Sequence, residues 1–181
     1  MAGRKRDPEL DSTILDAVRE IVRANGARAA SVAAVARRAG VPRSTIYRRW
    51  ATWFALLDAA LAPLLPMSTP SGGARARLLL LLRADVAFAQ SSDGRALAHV
   101  LLDADERDRA RSQSLQRVGQ RRQQYADVLA TLASPTTSRS ALESAAAFAV
   151  DVVWGGVLVD RGKPDVERLA NAILATLLGA R

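Results

Sequence analysis

The chain has 181 residues, a net charge of +8 at pH 7 and no cysteine. Without cysteine, disulfide bonds and thiolate metal sites are excluded, and the length suffices for one domain or for a small domain packed on a larger one. The longest apolar stretch, residues 145–159, is interrupted by Asp151 and is too short to cross a bilayer. The basic N-terminus lacks the apolar core of a secretory signal, so we expect a cytoplasmic protein with no membrane partner.

The first predicted helix begins at an Asp7-Pro8 pair, in which the aspartate caps the helix and the proline occupies its first position. It ends near Gly26. Its apolar residues recur at helical spacing and form one stripe, which contains Ile14, Leu15, Val18, Ile21 and Val22. We expect this helix to brace the segment that follows.

Two short helical patterns and the start of a third lie between Ser31 and Leu57. Ser31 is a good N-cap because its hydroxyl accepts a backbone N–H that the helix leaves unpaired. The first pattern ends at Gly40, which reverses the chain without a Cβ clash, and Pro42 suits the start of the next helix. This layout is typical of a helix-turn-helix reader of DNA.

The second short pattern has an apolar side and a side that carries hydrogen-bond donors. Ile46 and Trp50 share a face at about 3.6 residues per turn, and we expect that face to be buried. Ser44, Thr45 and Arg48 lie roughly opposite that face, with Arg43 and Tyr47 on one flank and Arg49 on the other. Arginine can make two hydrogen bonds to the edge of a guanine base, so we assign base reading to Arg43. We treat Arg48 and Arg49 as candidates for contacts with the DNA backbone.

Two aromatic residues near this pattern leave alternatives open. The hydroxyl of Tyr47 suits a phosphate oxygen, and the alternative is packing of its ring beside Ile46. Trp53 fits either the core or the DNA-facing surface.

The positive charge is concentrated on the same segment. Residues 21–57 contain no carboxylate, and residues 1–50 hold eleven Lys and Arg against five Asp and Glu. Gly3-Arg4-Lys5-Arg6 forms a basic arm, in which we expect Lys5 and Arg6 to contact DNA. The alternative is a solvated arginine face on an ordinary helical hairpin.

The remaining chain is predicted to be helical throughout. Thr52 caps a fourth helix, residues 66–73 form the clearest linker, and further helices are expected at about 75–90, 95–102, 106–132, 139–161 and 164–178. We therefore predict an all-α protein in two parts. Residues 1–62 form a DNA-binding domain of three helices with a helix-turn-helix, and residues 63–181 form a helical regulatory and dimerisation domain.

Residues 8–64 resemble the DNA-binding domain of the TetR family of bacterial repressors. The resemblance is carried by Ala39-Gly40-Val41, by Ser44-Thr45-Ile46-Tyr47, and by Trp50 followed by a capping position and Leu56-Leu57. It implies that Arg43, Ser44, Thr45, Tyr47 and Arg49 face DNA, with the tyrosine on a phosphate. The family often has a lysine where this chain has Trp53, which cannot supply that charge to the DNA backbone. The complete set of candidate DNA contacts is Lys5, Arg6, Ser31, Arg43, Ser44, Thr45, Tyr47, Arg48 and Arg49.

The resemblance also implies a ligand-responsive regulator, by default a repressor, that binds a palindromic operator as a homodimer and is released by a small-molecule effector. Two apolar stripes in the last two predicted helices suit a four-helix dimer interface, and the alternative is packing within one chain. The candidate interface residues are Phe148, Val152, Gly156, Leu169, Ile173 and Leu177.

Five polar or aromatic residues interrupt the apolar faces of the later helices and are candidates for an effector pocket. They are Phe88, His99, Tyr125, Asp151 and Trp154. Asp151 is the most suggestive of them because a buried carboxylate needs a partner. The alternative for Asp151 is a place on the solvent face of its helix.

Enzymatic functions receive little support from the sequence. His99 and Asp103 lie four residues apart, but they make an incomplete set of metal ligands. No nucleophile elbow, phosphate-binding loop or dinucleotide fingerprint is present. We therefore expect no catalytic residues, no metal and no cofactor. A nonspecific nucleoid binder would explain the charge but not the turn and the helix that follows it.

Overall fold

The computed structural model describes residues 7–26, 30–102, 105, 108, 112–159 and 164–179, without the side chains of residues 157–159, 178 and 179. The described secondary structure is helical, which confirms the all-α prediction. In chain order the helices are α1 (Pro8–Asn25), α2 (Val32–Ala39), α3 (Arg43–Tyr47), α4 (Trp53–Leu61), α5 (Ala74–Gln90), α6 (Ser92–Leu102), α7 (Gln113–Ala130), α8 (Arg139–Val159) and α9 (Val166–Gly179). A short 3₁₀ turn, Ala62–Leu64, follows α4.

The predicted caps of the first two helices are present. The Asp7 carboxylate accepts from the backbone N–H groups of Glu9 and Leu10 at 3.0 and 3.4 Å, and Ser31 Oγ accepts from the N–H of Ala34 at 3.2 Å. Gly40 adopts φ 67°, in the left-handed region where a side chain is disfavoured. These local signals fix where α1 and α2 begin and where the chain turns toward α3.

The first hydrophobic core joins α1 to α4, and α6 closes it. Ile14, Val18, Val35, Ile46 and Leu56 are almost completely buried in this core. Leu97 and Val100 of α6 pack into the same cluster. Since α6 lies beyond residue 62, the predicted DNA-binding domain shares its core with the rest of the chain.

The second core is formed by α5, α7, α8 and α9. Its largest fully buried side chains include Leu78, Leu82, Tyr125, Leu129 and Ile173. Trp154 of α8 packs against both cores and so links them. Among the described helices, none is long and apolar enough to cross a membrane.

The α5–α6 connection depends on a close backbone approach. A Cβ on Gly94, in the first turn of α6, would overlap the carbonyl of Phe88 in the last turn of α5. The Ser91 hydroxyl donates to that carbonyl at 2.6 Å and accepts from the Gly94 N–H at 3.0 Å. This tight connection carries the chain from the second core back to the first.

Candidate DNA-binding surface and effector cleft

The short helix α3 displays polar side chains over a buried apolar support. Ile46 is 1% exposed and Trp50 is 7% exposed, whereas Tyr47 is 55% exposed. Arg43, Ser44 and Arg48 are exposed as well. The predicted division of this segment into a buried side and a donor-bearing side is therefore present, and the exposed arginines and hydroxyls suit base edges and phosphates.

Thr45 departs from the predicted arrangement because it is buried, 7% exposed. Its hydroxyl oxygen accepts from Arg48 Nη2 at 3.3 Å. Consecutive residues of a helix are rotated by only about 100° about its axis, so the buried face of this short helix includes both Thr45 and Ile46. The expectation that Thr45 lies opposite Ile46 was wrong.

Arg49 forms an ion pair with a carboxylate of the protein itself. Its Nε donates to Asp11 Oδ1 of α1 at 2.5 Å, and the two side chains are 14% and 17% exposed. The pair ties the turn after α3 to α1. The placement of Arg49 on the DNA-facing flank was therefore wrong, because its guanidinium is paired with the carboxylate of Asp11.

The other candidate DNA contacts have mixed outcomes. Ser31 is exposed at the start of α2, where its hydroxyl oxygen caps the helix and its O–H remains able to donate. Lys5 and Arg6 lie outside the described residues. Trp53 is half-buried against the first core, and Thr52 caps α4 by accepting from the Ala55 N–H at 3.0 Å.

A small cleft lies between the two cores. Phe88 and Trp154 meet there in an edge-to-face arrangement, with ring centroids 6.1 Å apart. Its free interior is about 10 Å³, room for about one water molecule, so a larger ligand must open it. The cleft is lined by Leu65, Pro66, Met67, Asp85, Phe88, Arg117, Val118, Arg121, Val150 and Trp154.

Of the five predicted pocket residues, Phe88 and Trp154 line this cleft. His99 is exposed on α6, and Asp151 is 63% exposed in an ion pair with Arg122 at 2.9 Å. Tyr125 is completely buried in the second core, outside the lining. The prediction was therefore wrong for His99 and Asp151, whose helix positions face solvent, and for Tyr125, whose ring is enclosed by its own core.

The cleft contains a buried ion pair that the sequence analysis missed. Arg121 Nε donates to both carboxylate oxygens of Asp85, at 2.9 and 3.0 Å, and the Tyr125 hydroxyl donates to Asp85 Oδ2 at 2.7 Å. Burial raises the pKa of Asp85 above its ordinary value, and Arg121 and the Tyr125 hydroxyl oppose that rise. Burial, followed by the nearby Asp85 charge, also raises the pKa of Tyr125. The available signal was a lone aspartate in the apolar run of α5.

A second missed carboxylate connects α4 to α7. Asp58 is 4% exposed and accepts from Ser112 Oγ at 3.0 Å and from the backbone N–H groups of Gln113 and Ser114 at 2.7 and 3.1 Å. The carboxylate thus binds the unpaired N–H groups at the start of α7. Its signal in the sequence was an aspartate within an otherwise apolar helix.

The predicted dimer residues separate into two groups. Ile173 and Leu177 are 1% and 7% exposed within the second core, and Leu169 packs partly against it. These three were assigned to an interface wrongly, because the apolar stripe of α9 covers its own chain. Phe148 is 40% exposed on α8, and Val152 and Gly156 are only partly buried. Among the predicted interface residues, the more exposed ones are therefore those on α8.

Comparison with known proteins adds independent support for the fold and the family. Residues 14–60 match the family described as bacterial regulatory proteins, tetR family. No curated protein matches the chain. Among solved structures, a Bacillus subtilis transcriptional regulator, FadR in complex with stearoyl-CoA, is 19% identical over 94% of this chain and 98% of that one, with a TM-score of 0.62.

Two further structures have the same fold. NalD of Pseudomonas aeruginosa, the secondary repressor of the MexAB-OprM multidrug efflux pump, is 17% identical over 96% of this chain and 98% of its own, with a TM-score of 0.60. A TetR transcription regulator of Haloarcula marismortui is 18% identical over 96% and 99%, with a TM-score of 0.61. Residues 14–60, which run from α1 into α4, therefore match the tetR family of bacterial regulatory proteins, and the chain as a whole shares its fold with a TetR transcription regulator.

Proposed function

We propose that the protein is a repressor that binds a palindromic operator as a homodimer and leaves it when a small molecule occupies the cleft. The observation that carries this proposal is the exposed row formed by α3 and its C-cap residue, in which Arg43, Ser44, Tyr47 and Arg48 lie over a buried apolar support. These side chains suit the floor and walls of a major groove. NalD, which has this fold, is a repressor.

Homodimer formation is supported by the surface of α8. Phe148 is a large apolar side chain at 40% exposure, and the place where a Gly156 Cβ would be has no described atom within 4 Å apart from the adjacent residues and the backbone of its own helix. A second α8 can therefore approach closely at Gly156 while Phe148 is covered. An interface between identical faces has a twofold axis, and a twofold axis requires an inverted-repeat operator.

Effector release is supported by the position of α7. Its first turn binds Asp58 of α4, and its next two turns place Arg117, Val118 and Arg121 in the cleft. A ligand that displaces these side chains therefore acts on the helix that holds α4. Because α4 follows α3 directly in the chain, this movement changes the position of the DNA-reading helix.

DNA reading is tested by replacing Arg43. The DNA is the segment upstream of the gene, searched for an inverted repeat, with a scrambled duplex as competitor, and affinity is measured by fluorescence anisotropy. Arg43→Ala should cost about 1–3 kcal/mol on the cognate site and relax the preference at one base pair per half-site, because a bidentate base contact is lost.

The matched control is Arg139→Ala, which removes an arginine that is 87% exposed on α8. It should leave operator affinity unchanged. Equal losses on cognate and scrambled DNA with Arg43→Ala would assign that arginine to the backbone. Wild-type protein that fails to prefer the inverted repeat would refute operator recognition.

The dimer is tested by placing a charge on the open α8 surface. Phe148→Glu should convert the dimer to a monomer in light scattering and weaken operator binding, because an unpaired carboxylate would be buried at the interface. Leu80→Glu is the matched control, since Leu80 is 45% exposed on α5. A Phe148→Glu protein that stays dimeric and still binds the operator would place the interface elsewhere.

A further inference from the structure

We propose that the cleft binds an amphipathic anion, a compact apolar molecule with one carboxylate, sulfonate or similar group, and that Arg117 holds the anionic group. This inference rests on the proposed function in one respect, namely that the cleft is the effector site. It adds the chemical class of the ligand, which follows from how the charges in the cleft are paired.

Asp85 and Arg121 satisfy each other and leave no charge for a ligand. The Asp85 oxygens accept from Arg121 Nε, from Arg121 Nη2 at 2.8 Å and from the Tyr125 hydroxyl. The remaining Arg121 donors reach the Leu81 carbonyl at 3.1 Å and Gln124 Oε1 at 2.8 Å. A cationic ligand would therefore find the only carboxylate in the lining already engaged.

Arg117 is the third ionisable residue of the lining and supplies its net charge. It lies one turn before Arg121 on α7 and is partly buried. Within the described part of the chain it has no hydrogen-bond or ion-pair partner. A partly desolvated guanidinium without a counter-ion favours an anion, and its planar donors match a carboxylate in bidentate geometry.

The rest of the lining is apolar and defines the body of the ligand. Leu65, Phe88, Val118, Val150 and Trp154 offer hydrocarbon and ring surfaces. The free interior of about 10 Å³ requires that part of the wall move when a ligand enters. Two long hydrogen bonds hold the adjoining 66–68 segment, from Gln124 Nε2 to the Met67 carbonyl at 3.3 Å and from Arg121 Nη1 to the Ser68 carbonyl at 3.5 Å. This weakly held segment is the wall that a compact body displaces.

The test uses two fluorescent probes that differ by one anionic group. 8-Anilinonaphthalene-1-sulfonate carries a sulfonate, and N-phenyl-1-naphthylamine has the same rings without it. Wild-type protein should bind the sulfonate probe more tightly. Arg117→Gln should reduce affinity for that probe about 10-fold or more, because a charge-assisted hydrogen bond is lost, and should leave affinity for the neutral probe unchanged.

Two variants serve as controls. Arg122→Gln removes the same charge from an exposed position on α7, outside the cleft, and should change neither affinity more than twofold. Arg117→Lys keeps the charge and should keep most of the affinity for the sulfonate probe. Equal binding of the sulfonate probe by wild type and Arg117→Gln, or tighter binding of the neutral probe by wild type, would overturn the proposal.

Operator release separates this inference from the proposed function. Each probe is added to the protein–operator complex and dissociation is followed by anisotropy. Sulfonate binding that depends on Arg117 but leaves the operator bound would support the anion site and count against the cleft as the switch. Release by the neutral probe, unaffected by Arg117→Gln, would support the switch and refute the anion site.

Discussion

Each half of the molecule holds an arginine against an aspartate from another helix, and the two pairs differ in burial. Arg49 and Asp11, in the DNA-binding half, retain 14% and 17% exposure. Arg121 and Asp85, in the regulatory half, retain 6% and 10%, and the Tyr125 hydroxyl, the Leu81 carbonyl and Gln124 Oε1 add further hydrogen bonds to the pair. The first pair braces a turn at the protein surface, whereas the second needs several partners because little water reaches it.

The difference bears on how each half works. The DNA-reading helix must keep a fixed position on its support, and one partly solvated ion pair together with Ile46 and Trp50 is enough for that. The cleft holds the charges of Asp85 and Arg121 between two hydrophobic cores. Buried charges are stable there only when their hydrogen bonds are satisfied. Replacing one partner of each pair should therefore have unequal consequences.

The largest effect is expected for Asp85→Ala. It leaves the Arg121 charge buried without its counter-ion, which should lower the free energy of unfolding by about 3–5 kcal/mol. Asp11→Ala removes the corresponding carboxylate of the partly solvated pair and should cost only about 1 kcal/mol, because water can reach Arg49. Urea unfolding of both variants measures the two costs. Equal costs would show that burial does not distinguish the pairs.

An intermediate effect is expected for Asp58→Ala, which breaks the hydrogen-bonded contact between α4 and the start of α7. Three donors at the start of α7 lose their acceptor, so unfolding should become easier by about 1–3 kcal/mol. Operator affinity should also lose its dependence on cleft occupancy, because α7 no longer holds α4. The readout is anisotropy with and without 8-anilinonaphthalene-1-sulfonate.

The control for this prediction is Asp16→Ala, which removes an exposed carboxylate of α1 that pairs only with Arg19 of the same helix among the described ion pairs. It should change neither the stability of the protein nor its response to the probe by much. A full response in Asp58→Ala would show that another contact carries the signal.

The separation of two contacting residues along the chain decides whether their contact could be predicted from the sequence. The caps at Asp7 and Ser31 and the turn at Gly40 depend on residues a few positions apart, so local pattern was sufficient to place them. The contacts of Arg49, Asp58 and Arg121 span 38, 54 and 36 positions. Nothing in the local sequence distinguishes Arg121, which has an essential partner, from Arg122 beside it.

Helix periodicity had a related limit in the second half of the chain. It identified the apolar stripe of α9 but not what covers that stripe, because a buried intrachain face and a dimer face have the same spacing. The periodicity therefore led to the assignment of Ile173 and Leu177 to an interface, although they lie in the core of their own chain. Polar interruptions were equally ambiguous, since Asp151 faces solvent whereas Asp85 is buried.

The smallest effect is expected in the pH dependence of the deeply buried pair. Burial raises the pKa of Asp85 above its ordinary value, although Arg121 and Tyr125 oppose the rise. The folded protein therefore holds this proton to a higher pH than the unfolded chain does. The stabilisation that results is complete below about pH 4 and is lost as the pH rises through the folded-state pKa.

The measurement is urea unfolding of wild type and Asp85→Asn at intervals from pH 4 to 7, because asparagine cannot ionise. The free energy of unfolding of wild type minus that of Asp85→Asn should fall as the pH rises, by at most about 1.4 kcal/mol per pH unit. Asp127→Asn, an exposed change on α7, should show no such trend and serves as the control for net charge. A difference that instead rises with pH would mean that Arg121 and Tyr125 outweigh burial. The buried pair would then behave toward protons as a surface ion pair does, and the contrast with Arg49 and Asp11 would be one of position rather than of electrostatics.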